Sequence, residues 1–161
     1  MVKHSSMESS NQFSNLTIAH VADIHIGSRA GSSAEYRRAF DGLAANIPAN
    51  AIVVICGDIF HNKTYYGADD VSDFKYLMSV LARWTVIMIP GNHDMNMNNP
   101  TQLDLISPLV DQFPNLIYIK ASGPFTLDPY YGRAVASYVQ NTDAENKLPA
   151  IKFHHMSVVD N

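Results

Sequence analysis

The chain has 161 residues, of which 47% are hydrophobic and 16% are charged, and these values suit one globular domain with a sizeable core. Its formal net charge of −4 excludes a large basic surface for coating nucleic acid, although a local basic patch or metal ions would still attract phosphates. A single cysteine excludes an intramolecular disulfide. No apolar run is long enough to span a membrane, and the polar N-terminus lacks a secretory signal. We therefore expect a soluble, intracellular protein of the cytoplasm or nucleus.

The predicted elements begin after a flexible polar tail over residues 1–15, and residues 16–161 are expected to form one domain. Short apolar runs that end in polar residues predict buried parallel strands, at 16–25, 50–60, 85–94 and 115–122. Apolar residues at helical spacing predict helices between these strands, at 32–47, 69–84 and 101–113. Pro108 is expected to kink or divide the third helix.

The pattern weakens towards the C-terminus. Residues 125–139 predict one or two strands around a turn at Tyr131-Gly132, and residues 150–158 predict a last strand. The first two-thirds of the chain reads β-α-β-α-β-α-β. This order predicts an α/β fold with a mostly parallel sheet and helices packed on it.

Three predicted strands end in similar polar clusters, "ADIHIG", "CGDIFHN" and "PGNHDM". In open α/β sheets, ligands bind at the carboxyl ends of the strands, so these clusters are expected to meet at one site. Strand alternation would direct Asp23 and His25 to the same side, and Asp58 and Asn92 would add oxygen donors from the neighbouring strands. Oxygen and nitrogen donors without thiolate suit manganese, iron or zinc.

The motifs Asp-x-His, Gly-Asp and Gly-Asn-His-Asp, in this order within residues 16–95, resemble those of the calcineurin-like metallophosphoesterase family. The resemblance implies two divalent metal ions, with Mn²⁺ expected first and Fe²⁺ or Zn²⁺ as alternatives. It assigns the ligands by position, with Asp23 and His25 on the first ion, Asp58 bridging both and Asn92 on the second.

The resemblance also implies catalytic roles. His93 is similar to the family histidine that contacts the phosphate and protonates the leaving oxygen. A late histidine ligand is implied at His154, with His155 as the alternative. His61 stands where many members carry an aspartate that pairs with the catalytic histidine. Together with "DIHIGSR", His61 resembles the SbcD-like branch of double-strand-break repair nucleases.

That branch implies DNA as the substrate, a role in DNA repair and an SMC-like ATPase as a partner. Lys63, just past His61, and Arg29, after the first polar cluster, are expected to contact substrate phosphates. His20 is expected to be a packed core histidine. Two other functions stay open: a hydrolase of nucleotides or small phosphodiesters, which the acidic charge favours, and a truncated, inactive module with a binding or structural role.

The sequence departs from the family pattern at its C-terminal end. It contains no Gly-His-x-His, the motif whose two histidines complete the metal shells. We therefore expect a partial calcineurin-like sandwich that corresponds to the N-terminal portion of the usual fold. Either the chain is a fragment of a longer catalytic protein, or self-association or another chain is expected to cover its incomplete edge.

Overall fold

The structure, a computed structural model, describes residues 17–29, 31–95, 103–120, 125–128, 135–138 and residue 153. Its elements in chain order are strand β1 (Thr17–Val21), helix α1 (Ser33–Asn46), β2 (Ala51–Cys56), α2 (Ala68–Val80), β3 (Val86–Ile89), a 3₁₀ helix (Ser107–Gln112), β4 (Leu116–Tyr118), β5 (Phe125–Asp128) and β6 (Val135–Tyr138). This order confirms the predicted α/β class.

Four strands form one sheet in the order β1-β2-β3-β4, and each neighbouring pair is parallel. In register, Val53 of β2 pairs with Val86 of β3, which in turn pairs with Leu116 of β4. Because the strands are parallel and consecutive along the chain, the loops that follow β1, β2 and β3 leave from the same edge of the sheet.

The main core lies between one face of this sheet and the helices. Val53 and Ile55 of β2 pack there with Phe74 and Leu77 of α2, all essentially inaccessible to solvent. Val54 and Cys56 face the opposite side and belong to a second, smaller cluster. Burial on both faces explains why β2 reads as a continuous apolar run rather than an alternating one.

The strands end earlier than predicted. β1 stops at Val21, β2 at Cys56 and β3 at Ile89, so the polar clusters lie in loops beyond the sheet. Of the one or two strands predicted within residues 125–139, two are present, and these strands, β5 and β6, pair in antiparallel fashion. The turn at Tyr131-Gly132 lies outside the described residues.

The third predicted helical segment is present, but it is shorter than expected and is not an α-helix. Residues 103–106 are not helical, and a 3₁₀ helix occupies Ser107–Gln112. The Asp104 carboxylate accepts hydrogen bonds from the backbone N–H groups of Ile106 and Ser107 at 2.9 and 2.7 Å, which favours a turn over a helix. Pro108, which follows Ser107, has no backbone N–H and so cannot donate the hydrogen bond to residue 104 that an α-helix through this segment would need.

The expectations for His20 and for the two ends of the chain have different outcomes. His20 is not a packed core residue: its side chain is exposed, with its ring centroid 6.1 Å from that of Phe153. The tail over residues 1–15 lies outside the described residues, as does all of the predicted last strand except Phe153. Within the described ranges, no helix has the length and apolar character needed to cross a membrane.

Candidate metal centre

The backbone beyond β1 and β2 has an unusual conformation at three acidic or imidazole residues. Asp23, His25 and Asp58 have φ values of 55°, 51° and 52°, in the left-handed region that non-glycine residues rarely adopt. Such conformations cost of order 1–3 kcal/mol each and persist only where the surrounding structure imposes them. The predicted strand alternation therefore does not govern how Asp23 and His25 are placed.

Hydrogen bonds between the two loops impose this conformation. The Asp23 N–H donates to the Gly57 carbonyl at 3.2 Å, and the His25 N–H donates to the Asp58 carbonyl at 2.9 Å. A parallel bridge between Ile26 and Phe60 follows. The loop after β1 is thus bound to the loop after β2 along its length.

Helix α1 holds the same loop from the other side. The Tyr36 hydroxyl donates to the His25 carbonyl at 2.7 Å and accepts from the Ser28 N–H at 3.2 Å. It also lies 2.8 Å from the Ser28 hydroxyl. The apolar spacing of α1 does not reveal this contact, because periodicity carries no information about a hydroxyl at the end of a ring.

The loop after β3 is organised around Asp94, which is fully buried. Its Oδ1 accepts from the N–H groups of Ile59 and Phe60 at 2.9 and 3.1 Å, and its Oδ2 accepts from the Gly91 N–H at 2.8 Å. Burial raises the pKa of this carboxyl, the three hydrogen bonds oppose the rise, and the nearby charge of Asp58 adds to it. Asp94 thus stabilises this turn and joins it to the loop after β2.

Gly91 allows this loop to approach the loop after β2. A Cβ at Gly91 would overlap both the carboxylate and the backbone nitrogen of Asp58. Only glycine leaves room for this close approach. The Pro-Gly turn therefore lets Asp58 lie directly beside the Asn-His-Asp segment.

Asp23, His25 and Asp58 converge on a common point. Each offers one ligand atom, and the three atoms lie within 4.8 Å of one another. Asp58 is 5% exposed, and its Oδ2 is 3.7 Å from Nε2 of His25. The Nδ1 atom of His25 is buried and has no hydrogen-bond partner among the described residues. Two carboxylates and an imidazole, one of whose ring nitrogens is buried without a partner among the described residues, fit a divalent metal ion.

His93 joins this group through its backbone and its ring. Its N–H donates to Oδ1 of Asp58 at 2.9 Å. Its Nδ1 lies against the backbone carbonyl of His61, and because a carbonyl only accepts, Nδ1 carries the proton. Nε2 is therefore the ring nitrogen of His93 that remains for chemistry. His61 stands where the resemblance places a partner of the catalytic histidine, and it contacts the His93 ring through its backbone carbonyl.

The comparison with known families agrees with this geometry. The model of the calcineurin-like phosphoesterase family matches residues 16–157. The chain belongs to the calcineurin-like phosphoesterase family. The four-stranded parallel sheet with packed helices is consistent with the metallophosphoesterase fold, as predicted, and the family is metal-dependent.

One curated relative is also similar to this calcineurin-like domain. It is "Uncharacterized protein R555" of Acanthamoeba polyphaga mimivirus, which is 39% identical over 117 residues. The aligned part is 66% of this chain, and the chain spans only 8% of the length of that relative. Neither match separates the SbcD-like branch from the rest of the family.

The remaining predicted site residues of this calcineurin-like domain are placed as follows. Asn92 is half-buried in the turn next to His93, whereas Lys63 and Arg29 are exposed. The Arg29 carbonyl accepts from the Ser32 hydroxyl at 2.7 Å. His154 and the alternative His155 lie outside the described residues. The roles given to all of these residues stay predictions.

A buried polar cluster that the sequence reasoning missed adjoins the site. Asp104 binds the Lys120 ammonium at 2.9 Å and the Ser107 hydroxyl at 2.7 Å. Burial tends to raise the pKa of Asp104, but these contacts and two backbone N–H groups outweigh it and lower the pKa to about 2. The next residue, Leu105, donates its N–H to the Asp94 carbonyl at 3.0 Å. An aspartate three residues before Ser-Pro was the available signal for this turn.

Proposed function

We propose that this chain is a metal-dependent phosphodiesterase that cleaves DNA and uses two divalent ions, with Mn²⁺ as the preferred metal. One observation carries the proposal. The buried Asp58 carboxylate lies between the His25 imidazole and the turn that presents His93, with Asp23 within coordination reach of the same point. Metal ligands and a proton donor therefore share one centre.

The metal ligands are held before any ion binds. Asp58 has one oxygen fixed by the His93 N–H, while the other faces His25. Asp23 and His25 are fixed by backbone hydrogen bonds to the loop after β2. When bound, divalent ions lower the pKa of a water nucleophile and offset the charge on the phosphate oxygens. The protein itself contributes ligand atoms that need to move little when an ion binds.

His93 is proposed to donate a proton to the leaving oxygen. The His61 carbonyl orients the ring through Nδ1, so a protonated imidazole would present its second N–H, at Nε2, to the substrate. His61 would thus act as a positioning residue through its backbone. A general acid of this kind typically contributes about 10²–10⁴-fold to the rate.

DNA is proposed as the substrate on two grounds. The segments that carry His61 and "DIHIGSR" resemble the SbcD-like nucleases, and exposed Lys63 and Arg29 are available cations for a phosphate backbone. The net charge of −4 favours a second candidate, a small phosphodiester or nucleotide. Asp23, His25 and Asp58 fill only part of the shells of two ions, so self-association or another chain that adds ligands is a further part of the proposal.

The test incubates the chain with Mn²⁺ and either an end-labelled DNA duplex or a chromogenic phosphodiester. His93→Ala should lower turnover by at least about 10²-fold, since it removes the acid but keeps the backbone N–H to Asp58. His20→Ala, which removes an exposed histidine elsewhere, is the matched control and should keep full activity.

The outcomes separate the candidates. DNA cleavage that depends on His93 supports the nuclease, and cleavage of the small ester alone supports the second candidate. If neither substrate is cleaved, the chain by itself is an inactive module. Activity that survives His93→Ala would show that the proton donor is wrongly assigned.

A further inference from the structure

We propose that this centre has a second, mutually exclusive way to bind metal, in which the imidazoles of His25, His61 and His93 hold one ion of the Zn²⁺ type. The binding itself does not depend on the proposed function. Its consequence does: the ion would inhibit phosphodiester cleavage by occupying the nitrogen through which His93 donates its proton.

The three rings surround one small space. The centroid of His25 is 4.9 Å from that of His93 and 5.5 Å from that of His61, and both pairs meet edge to face. The His61 and His93 centroids are 5.8 Å apart. The ring planes of His61 and His93 are tilted by 32°, and no two of the three centroids are more than 5.8 Å apart, so the three imidazoles enclose one small space.

The nitrogen positions fit a single ion after small movements. One ring nitrogen from each histidine lies within 4.8 Å of the other two. A point central to three such atoms is at most about 2.8 Å from each, compared with about 2.0–2.1 Å for a zinc–imidazole bond. Each ring therefore needs to move by less than about 1 Å, which a small side-chain rotation provides.

His93 is already in the tautomer that binds metal. Its Nδ1–H is committed to the His61 carbonyl, which leaves the lone pair on Nε2 free to face an ion. Metal-binding histidines almost always donate their other ring N–H to a carboxylate or a backbone carbonyl in this manner. The same contact that prepares His93 to donate a proton thus also prepares it to bind a cation.

The two donor sets differ in the metals that they favour. Asp23, His25 and Asp58 offer two carboxylates and one imidazole, a set that suits Mn²⁺. Three imidazoles suit Zn²⁺, and three histidines are sufficient protein ligands for that ion. His25 belongs to both sets, and a neutral imidazole has a single free lone pair, so only one mode can form at a time.

The test is a pair of calorimetric titrations of the full chain, one with Zn²⁺ and one with Mn²⁺. His61→Asn should weaken Zn²⁺ binding by at least about 10-fold and leave Mn²⁺ binding within about twofold of the parent chain. Asp23→Asn should do the reverse. Because His61 is exposed and keeps its backbone contacts in the variant, its fold should be unaffected, and circular dichroism would verify this.

His20→Asn is the matched control, since it removes an exposed imidazole outside the site. It should change neither titration. Electron paramagnetic resonance of the Cu²⁺ form gives an independent readout, with three nitrogen ligands expected in the parent chain and two in His61→Asn. In an activity assay, Zn²⁺ should inhibit the Mn²⁺-supported parent reaction and inhibit His61→Asn far less.

The results that would contradict the inference differ from those that would contradict the proposed function. Zn²⁺ binding that is unchanged in His61→Asn, or that falls only with Asp23→Asn, overturns the three-imidazole mode while the proposed function stands. An absence of Mn²⁺ binding in the parent chain instead contradicts the proposed function, and the His61 dependence of Zn²⁺ binding still decides the inference.

Discussion

At the scale of single residues, the chemistry depends on side chains whose types the sequence identifies but whose conformations it does not. The order of aspartate, histidine and asparagine after apolar runs predicted a shared site. The left-handed φ values of Asp23, His25 and Asp58 could not be foreseen, because they result from hydrogen bonds between two loops that are about 35 residues apart.

Asp94 provides the sharpest residue-scale prediction. In Asp94→Asn the amide can still accept from Ile59 and Phe60, but its NH₂ group would face the Gly91 N–H, which loses its acceptor. A buried donor without a partner costs about 1–3 kcal/mol, so the free energy of unfolding should fall by that amount in urea denaturation.

Asp41→Asn is the control for this substitution. Asp41 is exposed and accepts one hydrogen bond, from the Tyr76 hydroxyl, so its change should cost less than about 0.5 kcal/mol. Equal losses in the two variants would contradict the central position given to Asp94.

At the scale of elements, helix α1 supports the site as well as the core. Its amphipathic pattern predicted the helix correctly, since Phe40 is buried and Tyr36 and Leu43 pack against the core. The pattern could not show that the Tyr36 hydroxyl reaches the His25 carbonyl, because that contact depends on where the loop after β1 lies.

Tyr36→Phe removes this contact and leaves the ring in place. We expect the free energy of unfolding to fall by about 1 kcal/mol and Mn²⁺ affinity to weaken, because the His25 loop loses its support from α1. Tyr76→Phe, which removes a hydroxyl bound to Asp41 instead, should leave Mn²⁺ affinity unchanged. Calorimetric titration of both variants would decide, and equal affinities in Tyr36→Phe and the parent would refute the anchoring role.

The segment before β4 shows why helical spacing alone predicted a helix that is too long. Its apolar residues do lie at helical intervals, but the Asp104 side chain competes for the backbone N–H groups of Ile106 and Ser107. An aspartate followed three residues later by Ser-Pro therefore indicates a turn, even where the apolar spacing indicates a helix.

Asp104 also gives a prediction about pH. Its folded pKa of about 2 lies below the ordinary value of 3.8, so its stabilising contribution is fully present above about pH 4 and is lost as the pH falls towards about 2. Asp104→Asn should lower the free energy of unfolding by about 2 kcal/mol at pH 7. In urea denaturation the difference from the parent should shrink between pH 4 and pH 2, and a difference that stays constant with pH would contradict the ion pair with Lys120.

At the scale of the whole molecule, the parallel order of four consecutive strands brings the loops after β1, β2 and β3 to one edge. The fold was predictable because β-α-β connections leave few alternatives. The later part of the chain was less predictable, since its strands are short and its turn signals weak. The supply of further metal ligands stays a prediction, because His154 lies outside the described residues and the chain spans 8% of its curated relative.

The central claim is that Asp23, His25 and Asp58 bind a divalent ion together, and anomalous diffraction from crystals grown with Mn²⁺ tests it most directly. The account predicts a manganese peak about 2.0–2.4 Å from a carboxylate oxygen of Asp23, a carboxylate oxygen of Asp58 and a ring nitrogen of His25. A peak that contacts none of these three side chains, or no peak at saturating Mn²⁺, would contradict it.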